Sequence, residues 1–359
     1  MSRPNHPLGL HNRPKRTPAY VYDIRQIDRD IDEARRATAG PNTRLFYAMK
    51  AFAFGELLEE IGERVDGLHA SSYFEARLAA EAAHRSNDSP DIHLTTPGLR
   101  ADEVDELADL CRYVSLNSTG QLDRFAGRLA GESSVGLRVN PQMSFVDDER
   151  YDPCRRHSKL GVPLDELEVM LEESPGRLDD VEGLLVHTNC DSDELTPLFK
   201  TAHRLHTHLQ PLLQRIDWLN LGGGYLFREH QSRGPLEATL ELLSQYPNLT
   251  VIFEPGSSLV RRAGHLVSTV VDRFSSEGRE VALLDTSVNH LPEVFEYQYH
   301  HDVWGESEEG EYSYLLAGSS CLAGDLFDTY RFDEPLEIGS RVVFEKTGSY
   351  SLVKAHTFN

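Results

Sequence analysis

One lysine follows directly on an apolar stretch of strand length. Residues 45–49 read Leu-Phe-Tyr-Ala-Met, Lys50 comes next, and a segment with a helical pattern begins a few residues later. Burying an unpaired ammonium group is costly, and such a group tends to lose its proton instead. A neutral lysine amine is a nucleophile that can form a Schiff base with a carbonyl compound. Lys50 is therefore a candidate nucleophile, unless its side chain only reaches from the strand end into solvent.

Polar or glycine residues also stand at the ends of the seven other strand-length segments that follow. In chain order they are Ser71-Ser72, Thr95-Thr96, Asn117-Ser118, Arg138 with Asn140, His187 with Asn189, Gly222 to Gly224, and Glu254. In a (β/α)8 barrel the active site lies at the C-terminal ends of the strands. The pattern therefore predicts that these residues share one end of a barrel with Lys50.

The elements that would place them there alternate regularly along the chain. Strand-length apolar segments occur at 44–49, 67–70, 91–95, 113–116, 135–139, 181–187, 218–221 and 251–254, with helical patterns between most of them. Such alternation is typical of a parallel (β/α)8 TIM barrel. After residue 260 the segments 267–274, 280–284, 312–316 and 341–344 are β-rich, without regular helices between them. We expect a barrel over 24–260 and a C-terminal all-β domain formed by 261–359 together with 1–23.

Three features of the predicted barrel end would suit a flat, phosphorylated cofactor. Consecutive glycines, as at Gly222, Gly223 and Gly224, let backbone N–H groups converge on phosphate oxygens, although they also form tight turns. Glu254 could hold a proton on a pyridine nitrogen, or form a structural ion pair. His187 could stack on an aromatic ring, or be an ordinary core histidine. Together with Lys50 these residues describe a site for pyridoxal 5′-phosphate.

Composition limits the classes of partner. The 359 residues include 36 Lys and Arg against 58 Asp and Glu, a formal charge of −22. This charge argues against nucleic acid or an anionic membrane as partner. It is compatible with a cationic small molecule, although a solubilising acidic surface is the more common cause of such a charge. No run is apolar enough for a membrane span or a signal core, so we expect a cytoplasmic protein. The four widely spaced cysteines indicate reduced thiols, not a disulfide framework or a zinc site.

Several motifs together resemble one known family. They are Ala48-Met-Lys50-Ala-Phe52, Ala70-Ser-Ser72 with Glu75, Tyr151-Asp-Pro-Cys154 with Ser158-Lys-Leu-Gly161, Leu219-Asn-Leu-Gly-Gly-Gly224, Glu254-Pro-Gly256, Cys321-Leu-Ala-Gly-Asp325 and Ser349-Tyr350. From about Pro18 to its end the chain resembles the fold-type III, alanine-racemase-like decarboxylases, and within them the carboxynorspermidine decarboxylase branch. The resemblance implies a lyase of polyamine biosynthesis. It would use pyridoxal phosphate to decarboxylate the α-amino-acid end of a cationic carboxy-polyamine such as carboxynorspermidine or carboxyspermidine.

The resemblance also implies roles for the residues that bind the cofactor. Lys50 would carry the cofactor as a Schiff base, His187 would stack on its ring, and Glu254 would pair with its pyridinium nitrogen. Gly222 to Gly224 and Tyr350 would hold its phosphate.

The substrate would meet residues from a second subunit, because members of this family complete the site across a homodimer. By the resemblance, Cys321 would donate a proton to the α-carbon, as a catalytic residue alongside Lys50 and His187. Asp325 would bind a distal substrate amine. His290 and Glu293, which stand where the family has a His-Met-Pro-Asp stretch, are further expected substrate residues. No metal ligand is expected at this site.

Other functions remain open at this stage. The stretches around His187 and His290 depart from the branch, which leaves a decarboxylase of a 3-amino-3-carboxypropyl group on a peptide or nucleotide as an alternative. A racemase would have a tyrosine base where Cys321 stands, and a non-enzymatic regulator of the same barrel type would lack the β domain. A metal-dependent barrel hydrolase could use the histidines of a charged helix or an acidic loop, namely His203, His206, His208, His300 and His301.

Overall fold

The computed structural model describes residues 6–10, 14–85, 90–227 and 232–358. The backbone divides into two compact units: one comprises Asp28–Leu259, and the other combines Met1–Ile27 with Val260–Asn359.

The elements follow one another in a regular order up to residue 260. They are β1 (Ala19–Tyr22), α1 (Ile24–Ala37), β2 (Thr43–Ala48), α2 (Gly55–Gly62), β3 (Gly67–Ala70), α3 (Tyr73–Arg85), β4 (Asp91–Thr95), α4 (Val104–Leu110), β5 (Tyr113–Leu116), α5 (Thr119–Leu129), β6 (Ser134–Asn140), β7 (Val162–Pro163), α6 (Leu164–Glu173), β8 (Gly183–Val186), α7 (Thr196–Leu213), β9 (Trp218–Asn220), α8 (Gly234–Leu243), β10 (Thr250–Phe253) and α9 (Ser257–Val260). The remaining elements are β11 (Gly264–Ser276), β12 (Arg279–Leu284), α10 (Pro292–Tyr297), β13 (Tyr312–Ala317), β14 (Leu326–Phe332) and β15 (Arg341–Phe344).

Eight parallel strands of the first unit close into a barrel. The order around it is β2, β3, β4, β5, β6, β8, β9 and β10, and β10 pairs with β2 to complete the ring. The two-residue β7 adds to the edge of β6 outside the ring. The predicted (β/α)8 barrel is confirmed. Because all eight strands are parallel, their C-terminal ends lie at one end of the barrel, which is where the candidate residues follow.

The barrel interior is packed around one large indole ring. Trp218 is 2% exposed and clusters with buried side chains from other strands. A Cβ atom added to Gly136 would lie 2.2 Å from the Trp218 ring, and one added to Gly183 would lie 2.0 Å from it. Glycine on β6 and β8 therefore makes the space that the Trp218 side chain occupies on neighbouring β9.

The second unit is built on a six-stranded sheet. Its strands run in the order β1, β11, β12, β13 and β14, with β15 also paired to β11, and only β12 and β13 are parallel. The expected C-terminal β domain is confirmed, and β1 pairs with its strand β11. Two details were wrong. The strand β14 was not expected, because its outward-facing residues interrupt the apolar run, and the short helix α10 lies where no regular helix was expected.

Candidate active site

A cavity of about 400 Å³ lies at the C-terminal ends of the barrel strands. Its walls are formed by residues from six strand ends and by a segment that follows β6: Lys50, His69, Ser71, Thr95, Pro97, Arg138, Arg150, Tyr151, Asp152, Pro153, Lys159, Leu160, Leu185, His187 and Glu254. The barrel therefore brings together the lysine, the histidine and the carboxylate that the sequence singled out.

Lys50 reaches this cavity from a single 3-10 turn, Met49–Ala51, that follows β2. Within the described part of the chain its amine makes no hydrogen bond or ion pair. Burial lowers the pKa of Lys50 and nearby Arg138 lowers it further, while the Glu254 and Glu75 carboxylates oppose the shift. A desolvated amine that is not held by a partner is the form of lysine that attacks carbonyl groups.

Glu254 directly follows β10 and is 3% exposed. Its Oε2 atom accepts a hydrogen bond from Asn220 Nδ2 at 2.8 Å and lies 3.5 Å from His69 Nε2. Burial raises the pKa of Glu254, whereas Lys50, the Asn220 hydrogen bond and Arg138 lower it. The carboxylate thus has one oxygen held in place, at a depth where a partner with a positive N–H group would be strongly favoured.

Gly222, Gly223 and Gly224 follow β9 and pack closely against the backbone at the ends of the neighbouring strands β8 and β10. A Cβ atom on Gly222 would lie 2.6 Å from Val186 O, one on Gly223 would lie 2.3 Å from Glu254 O, and one on Gly224 would lie 2.1 Å from Asn189 O. Gly222 and Gly224 also have positive φ angles of 71° and 85°. These positions require glycine because neighbouring backbones approach too closely for any side chain.

Two of the three glycine N–H groups already have partners inside the protein. Gly222 N–H donates to Asn220 Oδ1 at 2.8 Å, and Gly223 N–H donates to His187 Nδ1 at 3.1 Å. Gly224 N–H has no acceptor among the described residues, so it is the glycine donor left for a phosphate, although none of the three glycines is among the residues that line the cavity. The sequence did not show which glycine N–H groups have internal acceptors, because those acceptors are the side chains of Asn220 and His187.

The His187 ring is oriented by that same contact. Since Nδ1 accepts the Gly223 N–H, a neutral ring carries its proton on Nε2. Burial, Lys50 and Arg138 together hold the pKa of His187 well below its usual value. A neutral imidazole fixed at the cavity wall can stack on a flat aromatic ring without adding charge.

Unpartnered polar atoms in the same wall indicate that the cavity is built for a ligand. His69 has no hydrogen-bond partner at either ring nitrogen, and Thr95 Oγ1 has none either, although both side chains are buried. Buried polar groups without partners are rare in proteins, since each costs free energy. Beside them the guanidinium group of Arg138 favours an anionic group. An aromatic, anionic aldehyde such as pyridoxal phosphate fits this set of residues.

Other residues at strand ends have structural roles. Asn117 Nδ2 donates to Lys159 O, and its Oδ1 accepts from Gly161 N–H, which fixes the segment that forms one cavity wall. Asn140 and Asn189 accept backbone N–H groups of the loops that follow them. The predicted group of strand-end residues therefore divides into residues that line the cavity and residues that hold its loops.

The remaining candidate residues belong to the second unit. Cys321 is exposed, and Tyr350 is partly buried with a φ of 59°. His290 Nδ1 lies 2.8 Å from Thr286 Oγ1, and Glu293 lies 3.8 Å from His301. Asp325 is 2% exposed, and its carboxylate accepts N–H groups from the backbone of its own chain. Their roles toward the cavity stay predictions.

Histidines elsewhere take part in ordinary internal contacts. His206 lies 2.7 Å from the Tyr246 hydroxyl, His208 lies 2.8 Å from Glu168, and His300 contacts Asp328 and Glu306. Among the described residues one further group, His6, His265 and Glu345, has the composition of a metal site. However, His6 Nδ1 accepts the Leu8 N–H at 3.1 Å. The neutral His6 ring therefore carries its proton on Nε2, the atom that lies 3.5 Å from Glu345, and a protonated nitrogen cannot bind a metal ion.

Within the ranges that the structure describes, none of the helices combines the length and apolar character needed to span a bilayer.

A closed barrel, a sheet unit, and a buried lysine and carboxylate in the wall of one cavity are features of a barrel enzyme that binds pyridoxal phosphate. A family model described as the pyridoxal-dependent decarboxylase, C-terminal sheet domain, matches residues 19–348. The chain belongs to this family of pyridoxal-dependent decarboxylases, and its cofactor is pyridoxal phosphate.

Relatives with assigned names agree with this class. The chain is 33% identical to a carboxyaminopropylagmatine decarboxylase of Synechocystis, over 96% of this chain and 87% of that protein. It is 29% identical to a carboxynorspermidine/carboxyspermidine decarboxylase of Campylobacter jejuni, over 96% and 90%. The crystal structure of carboxynorspermidine decarboxylase complexed with norspermidine from C. jejuni superposes with a TM-score of 0.85 at 28% identity, covering 96% of this chain and 91% of that one. A diaminopimelate decarboxylase from Helicobacter pylori, 21% identical, has the same fold with a TM-score of 0.82.

Proposed function

We propose that this enzyme removes the α-carboxylate from a cationic carboxy-polyamine of the carboxynorspermidine or carboxyspermidine type. The observation that carries the proposal is that a desolvated Lys50 amine and a buried Glu254 carboxylate both line one cavity of the barrel. The names of the relatives from Synechocystis and C. jejuni support the substrate class. The formal charge of −22 also suits a substrate that carries several ammonium groups.

The chain's own residues would bind and orient both the cofactor and the substrate. Lys50 would hold the cofactor through its aldehyde group, His187 would lie against the ring, and Glu254 would keep a proton on the ring nitrogen. When bound, pyridoxal phosphate supplies an electron sink for the electron pair left behind as carbon dioxide departs. The N–H group of Gly224 and the Tyr350 side chain would serve the phosphate, and Arg138 provides a further positive charge at the cavity wall.

A proton must replace the lost carboxylate at the α-carbon, and we assign its delivery to Cys321. The thiol is exposed on a turn between β13 and β14, so it can reach a substrate outside its own unit. His290, Glu293 and Asp325 are the proposed residues for the distal substrate amine. For Asp325 the two backbone N–H contacts favour a second role, which is to hold the Cys321 turn in shape.

We propose that the enzyme acts as a cytoplasmic homodimer in which Cys321 of one subunit serves the barrel of the other. The support is an exposed set of large apolar side chains near the Cys321 turn: Phe295 is 59% exposed, Leu326 43% and Leu322 38%. Exposed apolar side chains that lie together are typical of interaction sites. We also take the two compact units as the two domains, with bounds close to 24–260 and 261–359 plus 1–23.

A guanidine-bearing substrate is the second candidate. The relative at 33% identity is a carboxyaminopropylagmatine decarboxylase, and agmatine ends in a guanidinium group where the carboxy-polyamines end in an amine. Both substrates share the same amino-acid end, so the barrel residues described above would treat them alike. The difference would be recognised by residues that contact the distal cation.

The deciding experiment measures carbon dioxide release from a panel of substrates. The panel contains carboxynorspermidine, carboxyspermidine, carboxyaminopropylagmatine, diaminopimelate, lysine, ornithine and a peptide or nucleotide that bears a 3-amino-3-carboxypropyl group. We expect the highest kcat/KM with one of the first three, and none with the Lys50→Ala variant. Preference for diaminopimelate, lysine, ornithine or the conjugated group would overturn the substrate assignment. An enzyme that holds its cofactor but releases no carbon dioxide from any of them would overturn the reaction.

A further inference from the structure

The Glu254 carboxylate is the last group in a chain of buried hydrogen bonds through the barrel. The chain begins at a donor whose identity is certain: Gly222 N–H donates to Asn220 Oδ1 at 2.8 Å, which fixes the orientation of the Asn220 amide. The amide nitrogen Nδ2 therefore carries the two donors. One reaches Glu254 Oε2 at 2.8 Å, and the other reaches His93 Nδ1 at 3.0 Å.

The same assignment fixes the tautomer of His93. Its Nδ1 accepts from Asn220, so the neutral ring carries its proton on Nε2, which lies 2.8 Å from Ser115 Oγ. All three side chains are buried: His93 and Asn220 are 0% exposed and Ser115 is 2% exposed. Burial lowers the pKa of His93 to about 3, so the ring is neutral at physiological pH and cannot turn into a donor toward Asn220.

We propose that Asn220, held in orientation by His93 and Ser115, is a positioning residue that keeps the Glu254 carboxylate ionised and aimed at the ligand's ring nitrogen. The proposal rests on the function proposed above, which gives Glu254 its partner. The three side chains do not line the cavity, so they act through Glu254 and not by touching the ligand.

Asn220 is suited to this task because its effect on Glu254 does not depend on charge. Burial raises the pKa of Glu254, and Lys50, the Asn220 hydrogen bond and Arg138 oppose that rise. His69 faces Oε2 at 3.5 Å, but burial holds its pKa well below the usual value, so it adds no charge. Lys50 gives up its free amine when it binds a carbonyl compound, whereas the amide donor of Asn220 is not consumed. The second oxygen, Oε1, takes no hydrogen bond from the described residues, so holding Oε2 leaves Oε1 available to the ligand.

Retention of pyridoxal phosphate by the folded protein tests the proposal without using turnover. The protein is dialysed to equilibrium against pyridoxal phosphate over a range of pH, and the bound fraction is read from its visible absorbance. We expect Asn220→Leu to bind the cofactor about tenfold more weakly. We also expect the acid limb of its retention curve to move to higher pH, because Glu254 without its donor takes up a proton sooner.

Two serine variants give a matched comparison. Ser115→Ala removes the acceptor of the His93 N–H and should shift the acid limb in the same direction by a smaller amount. Ser133→Ala is the control: Ser133 is also buried, its hydroxyl lies within hydrogen-bonding distance of Ala108 O and Cys111 O, and it precedes β6, at the strand end opposite to the site. This control should lose stability but keep the wild-type retention curve.

The outcomes separate this proposal from the proposed function. Folded Asn220→Leu protein with a wild-type acid limb would overturn the role of Asn220, whatever the enzyme decarboxylates. If Asn220→Leu does not fold, Ser115→Ala decides, and a curve that coincides with that of Ser133→Ala overturns the proposal. An altered acid limb in an enzyme that decarboxylates none of the panel would leave this inference intact and overturn only the reaction.

Discussion

The Asp325 carboxylate accepts the N–H group of Val288 at 2.8 Å through Oδ1, and that of Ser320 at 3.0 Å through Oδ2. One buried side chain therefore ties the turn that exposes Cys321 to the turn that carries His290. Cys321 and His290, which the sequence motifs suggest as residues that contact the substrate, therefore lie on two turns that Asp325 holds together.

Asp325→Asn should lower the free energy of unfolding by about 1–3 kcal/mol, because the amide can accept only one of the two N–H groups and leaves the other facing a donor. Denaturation by urea at a fixed cofactor concentration measures the change. Asp333→Asn is the control, since Asp333 is exposed on the same unit, and it should stay within about 0.5 kcal/mol of wild type. Equal stability of the two variants would show that the carboxylate is free for another role.

Gly223→Ala should destabilise the barrel because its new methyl group would lie 2.3 Å from Glu254 O, a backbone atom that cannot move aside easily. We expect a loss of about 1–3 kcal/mol, with weaker cofactor retention because Glu254 is displaced. Gly127→Ala is the matched control: nothing lies within 4 Å of its added Cβ atom, and the helix interior gains about 0.5–1 kcal/mol from the substitution. In the same urea titration the free energy of unfolding should therefore fall for Gly223→Ala and rise for Gly127→Ala.

The pH dependence of cofactor capture should report on Lys50. Capture by the cofactor-free protein needs the neutral amine, so its rate rises with pH through the pKa of Lys50, which burial places below the ordinary value for lysine. Glu254 raises this pKa, so Glu254→Gln should lower it further and move the rise to lower pH. Rapid-mixing absorbance measurements over a pH series test this. A shift to higher pH in Glu254→Gln would contradict the described electrostatics.

Cys321→Ala should retain the cofactor as tightly as wild type while kcat falls about a hundredfold or more, the usual loss when a positioned proton donor is removed. If subunits share active sites, mixing this variant with Lys50→Ala under conditions that exchange subunits should restore part of the activity, although each variant alone is inactive or nearly so. No recovery from a mixture shown to contain both subunits in one dimer would place Cys321 in its own subunit's site.

The barrel could be predicted well from the sequence because strands and helices are recognised from local patterns of residues. Apolar runs separated by helical patterns set the eight strands, and parallel pairing then places every strand end at one face, so Lys50, His187 and Glu254 could be grouped from their positions alone. The strand β14 was missed because its exposed side chains include Leu326, which obscures the alternation of apolar and polar residues.

The contacts inside the site depend on packing between distant segments, which no local rule describes. His69 and His93 stand within apolar strands and could be taken for core residues, yet one has unpartnered nitrogens at the cavity and the other orients Asn220. A useful signal is available for other chains. In other sequences of this fold, a histidine on the barrel strand next to the one that precedes a candidate lysine should be tested as part of the site.

The indole of Trp218 and the bare backbones of Gly136 and Gly183 occupy one volume, so none of the three can change alone without a clash or a void. We therefore expect the residues at positions 136, 183 and 218 to change together during evolution. Lineages that acquire a side chain at 136 or 183 should carry a smaller residue at 218, and intermediates with only one change should be rare. The residues at these three positions would then distinguish lineages independently of substrate choice. The loops at the C-terminal ends of the barrel strands, in contrast, can diverge with the amine that they recognise.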